Sequence, residues 1–210
     1  ACLHDLLKKS GDQIFPHVSL KSGVSMSLNP HGALSRTESR FLEIFKNITT
    51  HTPGSSLVVN EKPDEESFLH KLKNSNVFIY LGHGGGEQFA RLKEIKKLDS
   101  IAPSFLLGCS SAFMSDFGKL EPTGTVYTYL LGGCPLVLGN LWDVTDKDID
   151  KFSESVFEKI GLIEKGIDTL IINEGDFKIS NATGRSRDVC YLKYLNGAAP
   201  VLYGLPINFT

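Results

Sequence analysis

A histidine and a cysteine each follow an apolar run that is typical of a buried strand. His83 lies in the segment VFIYLGHGGGEQ, and Cys109 lies 26 residues further on in SFLLGCSS. This interval leaves room for one helix between two parallel strands, whose carboxyl ends meet at the same edge of a sheet. An imidazole that faces a thiol can activate it for attack on a carbonyl carbon. The spacing therefore predicts a cysteine nucleophile with a histidine as general base.

Both residues also have a structural interpretation. A cysteine after FLLG is most often a small core hydrophobe, and a histidine at such a position can simply be satisfied by a backbone carbonyl. Their neighbours favour the catalytic interpretation. Gly108, Ser110 and Ser111 indicate a turn around the cysteine rather than a continued strand, and three glycines follow His83. A turn at a strand end exposes a side chain at the functional edge of a parallel sheet.

The glycine run after His83 allows two interpretations. Backbone N–H groups in such a loop can bind an oxyanion, and the predicted pair is the N–H of Gly84 with that of Cys109. A glycine-rich loop can also bind phosphate. The segment GHGGGEQ fits neither GxGxxG nor GxxxxGK[ST], and no lysine stands where a P-loop needs one. A nucleotide- or flavin-binding domain is therefore a hypothesis without its required motif.

Acidic residues cluster in the motif LWDVTDKDID. Thr145 and Asp148 have the spacing of a capping box, and Asp146 lies in the first helical turn, where negative charge is favourable. Asp150 lies about one turn further in and is explained less well by helix capping. With the single tryptophan, Trp142, at the end of the preceding strand, Asp150 could receive a guanidinium group. The alternative is equally open: Trp142 belongs to the core and Asp150 is a surface charge.

The composition narrows the function classes. The chain has 210 residues, 41% of them hydrophobic, which suits one sizeable core or one domain with a small appendage. A net charge of −2 and an isoelectric point near 6.3 argue against direct nucleic-acid binding. No apolar run reaches membrane-spanning length, and no signal peptide is recognisable. The other histidines lack metal-ligand spacing, so neither a zinc site nor another cofactor is predicted.

The cysteines indicate the redox compartment of the chain, and its first residue indicates that it is a piece of a longer protein. Its four cysteines lie far apart without a CxxC motif, which favours a reducing compartment. The chain begins at Ala1 with helical-looking sequence and is interpreted as a piece of something longer.

Strands and helices are predicted to alternate along the chain. Short apolar runs predict strands at 24–29, 56–60, 77–81, 104–108, 135–142 and 201–205. Helices are predicted from Thr37 as N-cap, from Pro63, and at 87–98, 122–133 and 146–161, with a helix end at 190–195 and a loop within 162–184. This alternation predicts three layers around a mostly parallel sheet, whose carboxyl edge carries the candidate dyad.

Several longer motifs, read in order, are similar to the protease domain of separase, and most similar to fungal forms. They are GHGGGEQ, FLLGCSS, KLEPTGTVYTYLLGGCP, LGNLWDVTDKDIDKF and YLNGAAPVLYGLP, and the resemblance covers about residues 25–160 and 185–207. It implies a caspase-like three-layer α/β sandwich with a mostly parallel central sheet flanked by helices. Residues 1–23 are then expected to form a helical lead-in, and residues 24–210 the protease domain.

The resemblance also implies an activity. Separases are cysteine endopeptidases that cleave the kleisin subunit of cohesin at anaphase, and securin holds them inactive. On this basis His83 and Cys109 are the catalytic dyad, and Asp150 binds the substrate arginine, which follows an acidic residue and two variable ones. The expected location is the nucleus and cytoplasm, with spindle association, and no membrane or direct nucleic-acid contact is expected.

The main alternative is a catalytically silent caspase-like scaffold that acts only as a binding module. Such a homologue is expected to have lost His83 or Cys109. Both residues are present in this chain, so the sequence favours the active endopeptidase.

Overall fold

The computed structural model describes residues 16–118, 120–163 and 178–210. Its strands are β1 (His17–Val18), β2 (Val24–Leu28), β3 (Ser56–Val59), β4 (Val77–Leu81), β5 (Ser104–Leu106), β6 (Ser115–Phe117), β7 (Leu120–Thr123), β8 (Leu136–Asn140), β9 (Pro200–Gly204) and β10 (Asn208–Phe209). Its helices are α1 (Ser35–His51), α2 (Glu65–Asn74), α3 (Leu92–Lys96), α4 (Thr125–Leu131), α5 (Asp146–Lys159) and α6 (Ile179–Ser186). A single 3₁₀ turn, Arg187–Val189, follows α6.

A six-stranded sheet in the order β3-β2-β4-β5-β8-β9 forms the centre of the molecule. Every neighbouring pair from β3 to β8 is parallel, and β9 runs antiparallel to β8 at one edge. The predicted mostly parallel sheet flanked by helices is thus confirmed. Because β4 and β5 are adjacent and parallel, the loops that follow them leave the sheet side by side.

Strand β4 shows why the sheet is covered on both faces. All five of its residues are buried, and successive side chains of a strand point to opposite faces. Ile79 belongs to a core that α1 and α5 cover, whereas Phe78 and Tyr80 belong to a second core that α2 and α4 cover. The continuous apolar run VFIYL is the sequence expected for a strand between two helical layers.

Phe157 of α5 joins three elements of the first core. Its ring centroid lies 6.0 Å from that of Phe41, 6.1 Å from that of Phe45 and 6.2 Å from that of Phe105. The rings belong to α1, α5 and β5, so this cluster fixes both helices on the sheet face that lies under the candidate acidic residue. Phe157 is completely buried.

Two predicted helices are shorter in the structure. The helix predicted at 87–98 is confined to Leu92–Lys96, because residues 83–90 form turns in the loop after β4. The helix predicted at 122–133 begins at Thr125. The residues before it are in β7, which pairs with β6 in an antiparallel hairpin.

Three further expectations about local structure were wrong. Thr37 does not cap α1; the helix begins two residues earlier, and Thr37 is buried inside its first turns. Residues 190–195 form turns instead of a helix end, and α6 lies in the segment that was predicted to be a loop. The rest of that segment, residues 164–177, lies outside the described residues.

The two ends of the described chain meet. His17–Val18 pairs in parallel with Asn208–Phe209, and the Leu20 N–H donates to the Thr210 carbonyl at 2.8 Å. The division at residue 23 stays a prediction, and the predicted lead-in helix falls largely on residues 1–15, outside the described residues. Within the described part, no helix is both long enough and apolar enough to cross a membrane.

The aromatic cluster predicts a large stability effect at one position. Phe157→Ala is expected to lower the free energy of unfolding by about 3–5 kcal/mol, because the cavity cannot be refilled by the rings around it. Phe113 is 55% exposed, so Phe113→Ala is the matched control and should change stability by less than about 0.5 kcal/mol. Urea unfolding measures both. Equal losses would show that Phe157 is not a packing centre.

Candidate active site

The loops after β4 and β5 and the start of α5 enclose a small cavity. Its lining includes His83, Cys109 and Asp150, together with Thr37 and Leu34 from the start of α1. The cavity volume is about 20 Å³, which is room for about one water molecule. The structure therefore brings the predicted thiol, imidazole and carboxylate to one place. The cavity between them is too small for a long substrate side chain unless it widens.

Gly108 lets the loops that carry His83 and Cys109 approach each other. A Cβ atom at this position would lie 2.2 Å from the Gly84 carbonyl oxygen and 2.4 Å from that of Gly82. Real Cβ atoms essentially never come so close to backbone oxygen, so any side chain would push the loops apart. The glycine before Cys109 is needed because the histidine loop lies directly on it.

Side chains hold the histidine loop through its backbone. The Tyr80 hydroxyl donates to the His83 carbonyl at 2.8 Å. The Gln88 side-chain amide donates to the same carbonyl at 3.1 Å and to the Tyr80 hydroxyl at 2.9 Å. The Tyr129 hydroxyl donates to the Gly85 carbonyl at 3.3 Å. Burial raises the pKa of Tyr80 and that of Tyr129 well above the usual value, so both stay protonated donors at neutral pH.

The turn that carries Cys109 is held from β8 and the segment that follows it. Asn140 donates its side-chain N–H to the Gly108 carbonyl at 2.9 Å, and the Ser110 N–H donates to the Trp142 carbonyl at 3.2 Å. Ser110 has a φ of 51°, in the left-handed region that turns the chain sharply. The predicted strand-end turn is therefore present.

Cys109 differs from the other described cysteines in its exposure. Cys134 and Cys190 are buried, and burial raises the pKa of each thiol to about 11. Cys109 is half-buried, and its thiol donates to the Val144 carbonyl at 3.2 Å. Of the three described thiols, Cys109 is the one that a substrate carbonyl could reach.

The two N–H groups predicted to bind an oxyanion are both free. In residues 16–118, 120–163 and 178–210, neither the Gly84 N–H nor the Cys109 N–H donates a hydrogen bond. The Gly84 nitrogen lies 2.9 Å from the position of a Cβ on Gly108, the residue before Cys109. The two N–H groups therefore lie on adjoining loops, and the oxyanion role stays a prediction.

Asp150 is a buried carboxylate without an ion-pair partner among the described residues. It is 5% exposed, and the Thr37 hydroxyl donates to its two oxygens at 3.0 Å and 3.1 Å. No ion pair joins it to any described residue. Burial raises the pKa of Asp150 to about 6, although the Thr37 bond acts in the opposite direction. A buried carboxylate that faces the cavity is suited to receive a cation from outside the domain.

Asp148, two residues earlier, has the opposite environment. Its carboxylate accepts the Tyr191 N–H at 2.8 Å, the Leu192 N–H at 3.0 Å and the Asn196 side-chain N–H at 2.9 Å. Burial by itself raises the pKa of Asp148, but these bonds outweigh it and the pKa is lowered. The predicted capping box with Thr145 is therefore wrong, because Asp148 fixes the turns at 191–196 instead.

Trp142 is not one of the described residues that line the cavity. It is 38% exposed, and its indole N–H donates to the Leu195 carbonyl at 2.9 Å. The predicted contact with a guanidinium group stays a prediction. The described residues contain no group of three or more His, Cys, Asp or Glu side chains that could hold a metal ion.

Sequence reasoning missed the residues that support the site. Thr37 was predicted to be a helix cap, and Tyr80 was not singled out from its strand. His31 was not predicted to lie near the site, yet its ring centroid lies 5.8 Å from that of His83 and 5.2 Å from that of Phe89. Burial, then the charges of Lys62 and His83, lower the pKa of His31. One signal could have assigned Tyr80 to the sheet face shared with Phe78: side chains two residues apart in a strand point to the same face.

The sequence model of the family described as "Separin, protease domain" matches residues 1–149. This chain belongs to that family. It is 61% identical over 208 residues to the separin of Saccharomyces cerevisiae and 41% identical over 208 residues to the separin of Emericella nidulans. These matches cover 99% and 98% of this chain but 13% and 10% of the two relatives, so the chain spans about a tenth of their length.

Solved structures agree with the family. The crystal structure of the Saccharomyces cerevisiae separase–securin complex at 2.6 Å resolution matches with a TM-score of 0.90 and 60% identity, over 100% of this chain and 14% of the matched chain. The complex at 3.0 Å resolution also matches with a TM-score of 0.90. The resemblance to separase is confirmed, and the chain carries a separase protease domain.

The two carboxylates predict opposite stability effects. Between the unfolded pKa of about 4 and the folded pKa of about 6, folded Asp150 holds a proton that the unfolded chain has released. Stability therefore falls as pH rises through this window, and the penalty is complete above about pH 6. Asp150→Asn should raise the Tm at pH 8 by roughly 2–4 °C, about 1 kcal/mol for a domain of this size. The gain should disappear near pH 4.

Asp148→Asn is the matched comparison. The lowered pKa of Asp148 means that its charged form stabilises the fold above the unfolded pKa and that this stability is lost as pH falls below about 4. The variant should lose about 1–3 kcal/mol at pH 7, because one of the backbone donors then lacks an acceptor. Thermal unfolding at pH 4, 6 and 8 measures both variants. Shifts of the same sign at pH 8 would contradict these environments.

Proposed function

We propose that this chain is the protease domain of a cysteine endopeptidase that cleaves after arginine. The observation that carries the proposal is the meeting of Cys109, His83 and Asp150 at one cavity. A thiol and an imidazole at adjacent strand ends supply nucleophile and base. A buried carboxylate without an ion-pair partner in the described residues supplies the receptor for a positively charged substrate residue. Membership of the separin protease-domain family supports the same function.

The chemistry follows from the two loops. His83 accepts the thiol proton, and the Cys109 sulfur attacks the substrate carbonyl carbon to form a tetrahedral intermediate. The N–H groups of Gly84 and Cys109 donate to the oxygen that becomes negative. His83 then returns the proton to the leaving amine as the C–N bond breaks. Water hydrolyses the thioester that remains, with His83 as base, and restores the free thiol.

Asp150 accounts for the proposed preference for arginine. A guanidinium group offers a planar pair of donors that matches a carboxylate, whereas an ammonium group is a point charge. Binding of the cation would stabilise the ionised form that burial disfavours. The cavity holds about one water molecule in this structure, so binding of an arginine side chain requires the cavity to widen.

The substrate and the inhibitor follow from the family. The proposed substrate is the kleisin subunit of cohesin, cut after an arginine that follows an acidic residue and two variable ones. The proposed inhibitor is securin, since the matched crystal structures are separase–securin complexes. The proposed location is the nucleus and cytoplasm, where cohesin cleavage and spindle association would occur.

The dyad predicts a specific pattern of activity loss. Cys109→Ser and His83→Ala should each lower kcat for an arginine peptide by at least about 10³-fold, and the double variant should lose little more, because the two residues act as one unit. Single-turnover assays of the intact protein measure this. Cys134→Ser is the control, because that buried thiol donates to the Ala102 and Leu136 carbonyls and a serine can do the same. Wild-type turnover in either dyad variant would exclude the assignment.

Asp150 predicts the substrate preference. Asp150→Asn should lower kcat/KM for arginine peptides by at least about 30-fold, the scale of losing one partner of a desolvated charge pair, with a smaller change for matched lysine peptides. In the wild type the preference should weaken as pH falls below about 6, where Asp150 is protonated. Exposed Asp146 also lines the cavity, so Asp146→Asn is the comparison. Loss of arginine preference in that variant alone would move the receptor to Asp146.

A further inference from the structure

Three successive peptide groups of the histidine loop are each held by a side chain. Tyr80 and Gln88 hold the His83 carbonyl, at 2.8 Å and 3.1 Å. The Glu87 carboxylate accepts the Gly85 N–H at 2.7 Å, and Tyr129 holds the Gly85 carbonyl at 3.3 Å. The loop is thus fixed plane by plane, although none of these contacts involves the His83 imidazole.

The first of these peptide groups carries the candidate oxyanion donor. The His83 carbonyl and the Gly84 N–H belong to one peptide plane, and in a trans peptide they point in opposite directions. No cis peptide bond occurs in the described residues. Two donors on the His83 oxygen therefore also fix the direction of the Gly84 N–H, which leaves the opposite edge of the same plane. The Gly84 nitrogen lies 2.9 Å from the position of a Cβ on Gly108, so this peptide group lies next to the residue that precedes Cys109.

Because Gly84 is a glycine, the orientation of its peptide plane needs support from residues outside the glycine run. Gly84 has a φ of 62°, and glycine adopts positive and negative φ with similar ease. Rotation of the peptide plane between His83 and Gly84 changes the ψ of His83 and the φ of Gly84 together, and the glycine opposes its part of the rotation weakly. A side chain on Gly84 would disturb this support, because its Cβ would lie 2.6 Å from a carboxylate oxygen of Glu87, which accepts the Gly85 N–H. The orientation must be imposed through hydrogen bonds to the carbonyl.

We propose that Tyr80 and Gln88 are positioning residues that aim the Gly84 N–H into the oxyanion hole by holding the carbonyl at the opposite edge of the same peptide plane. This inference rests on the proposed cysteine endopeptidase function. It assigns to a buried strand tyrosine and an exposed loop amide a part in the chemical step, without contact with substrate. Because burial raises the pKa of Tyr80, its hydroxyl remains a donor throughout the pH range of an assay.

Two reactions of the same thiol distinguish this role from a general loosening of the loop. Peptide hydrolysis passes through an oxyanion, whereas alkylation of Cys109 by iodoacetamide displaces iodide from a saturated carbon and forms none. Tyr80→Phe and Gln88→Ala should each lower kcat for an arginine peptide by about 10-fold in the intact protein. The double variant should lose about 10²–10³-fold, the scale of one oxyanion donor. KM and the alkylation rate of Cys109, followed by mass spectrometry, should stay within about twofold.

Tyr129→Phe is the matched control. Like Tyr80, Tyr129 is a buried tyrosine that donates to a carbonyl of this loop, and the variant loses a comparable hydrogen bond. The peptide that it holds carries no proposed oxyanion donor, so kcat should change by less than about threefold. His83→Ala, which should slow both hydrolysis and alkylation, shows that the alkylation assay can report a disturbed dyad.

The outcomes separate this inference from the proposed function. Hydrolysis that persists in Cys109→Ser would overturn the proposed function. Hydrolysis that requires Cys109 but is unchanged in the Tyr80→Phe, Gln88→Ala double variant would overturn only the positioning role. That role would also be excluded if Tyr129→Phe lost as much kcat as Tyr80→Phe, or if alkylation fell in step with hydrolysis.

Discussion

Direct backbone contact between two strand-end loops is the constraint on which the candidate site depends. Gly108 lies against the carbonyl groups of Gly82 and Gly84, with no room for a Cβ atom. Parallel pairing of β4 with β5 brings the two loops to the same edge of the sheet, but strand spacing alone leaves space for side chains between them. The glycine removes that space, so the imidazole of one loop and the thiol of the other share one cavity.

A single turn of α5 carries two carboxylates with different tasks. Asp148 faces backbone and side-chain N–H groups that stabilise its charge, and it fixes the turns at 191–196. Asp150 faces the cavity with one hydroxyl as its donor, and burial disfavours its charge. One carboxylate thus stabilises the fold, whereas the other is kept at a cost to stability. The difference is set by what faces each oxygen, since both residues are almost fully buried.

The histidine loop combines flexible backbone with rigid support. Three glycines allow the chain to pass close to Gly108 and to expose N–H groups, but they oppose rotation of the peptide planes only weakly. Tyr80, Gln88, Glu87 and Tyr129 supply the missing rigidity from outside the glycine run. Two of these side chains, Tyr80 and Tyr129, come from the core beneath the loop, so the loop rests on the packing between the sheet and α4.

The sequence by itself determined the central strands, the parallel sheet and the shared edge of His83 and Cys109, because apolar runs and the residues that end them are local patterns. It also singled out Asp150 within its acidic motif. It could not assign the donor to that carboxylate, since Thr37 lies 113 residues away in the chain. The turns at 190–195 were predicted as helix for the same reason. Their backbone N–H and C=O groups bind the side chains of Asp148 and Trp142, which come from a distant segment. Only tertiary structure decided these partners, because a buried polar group takes its partner from whichever element packs against it.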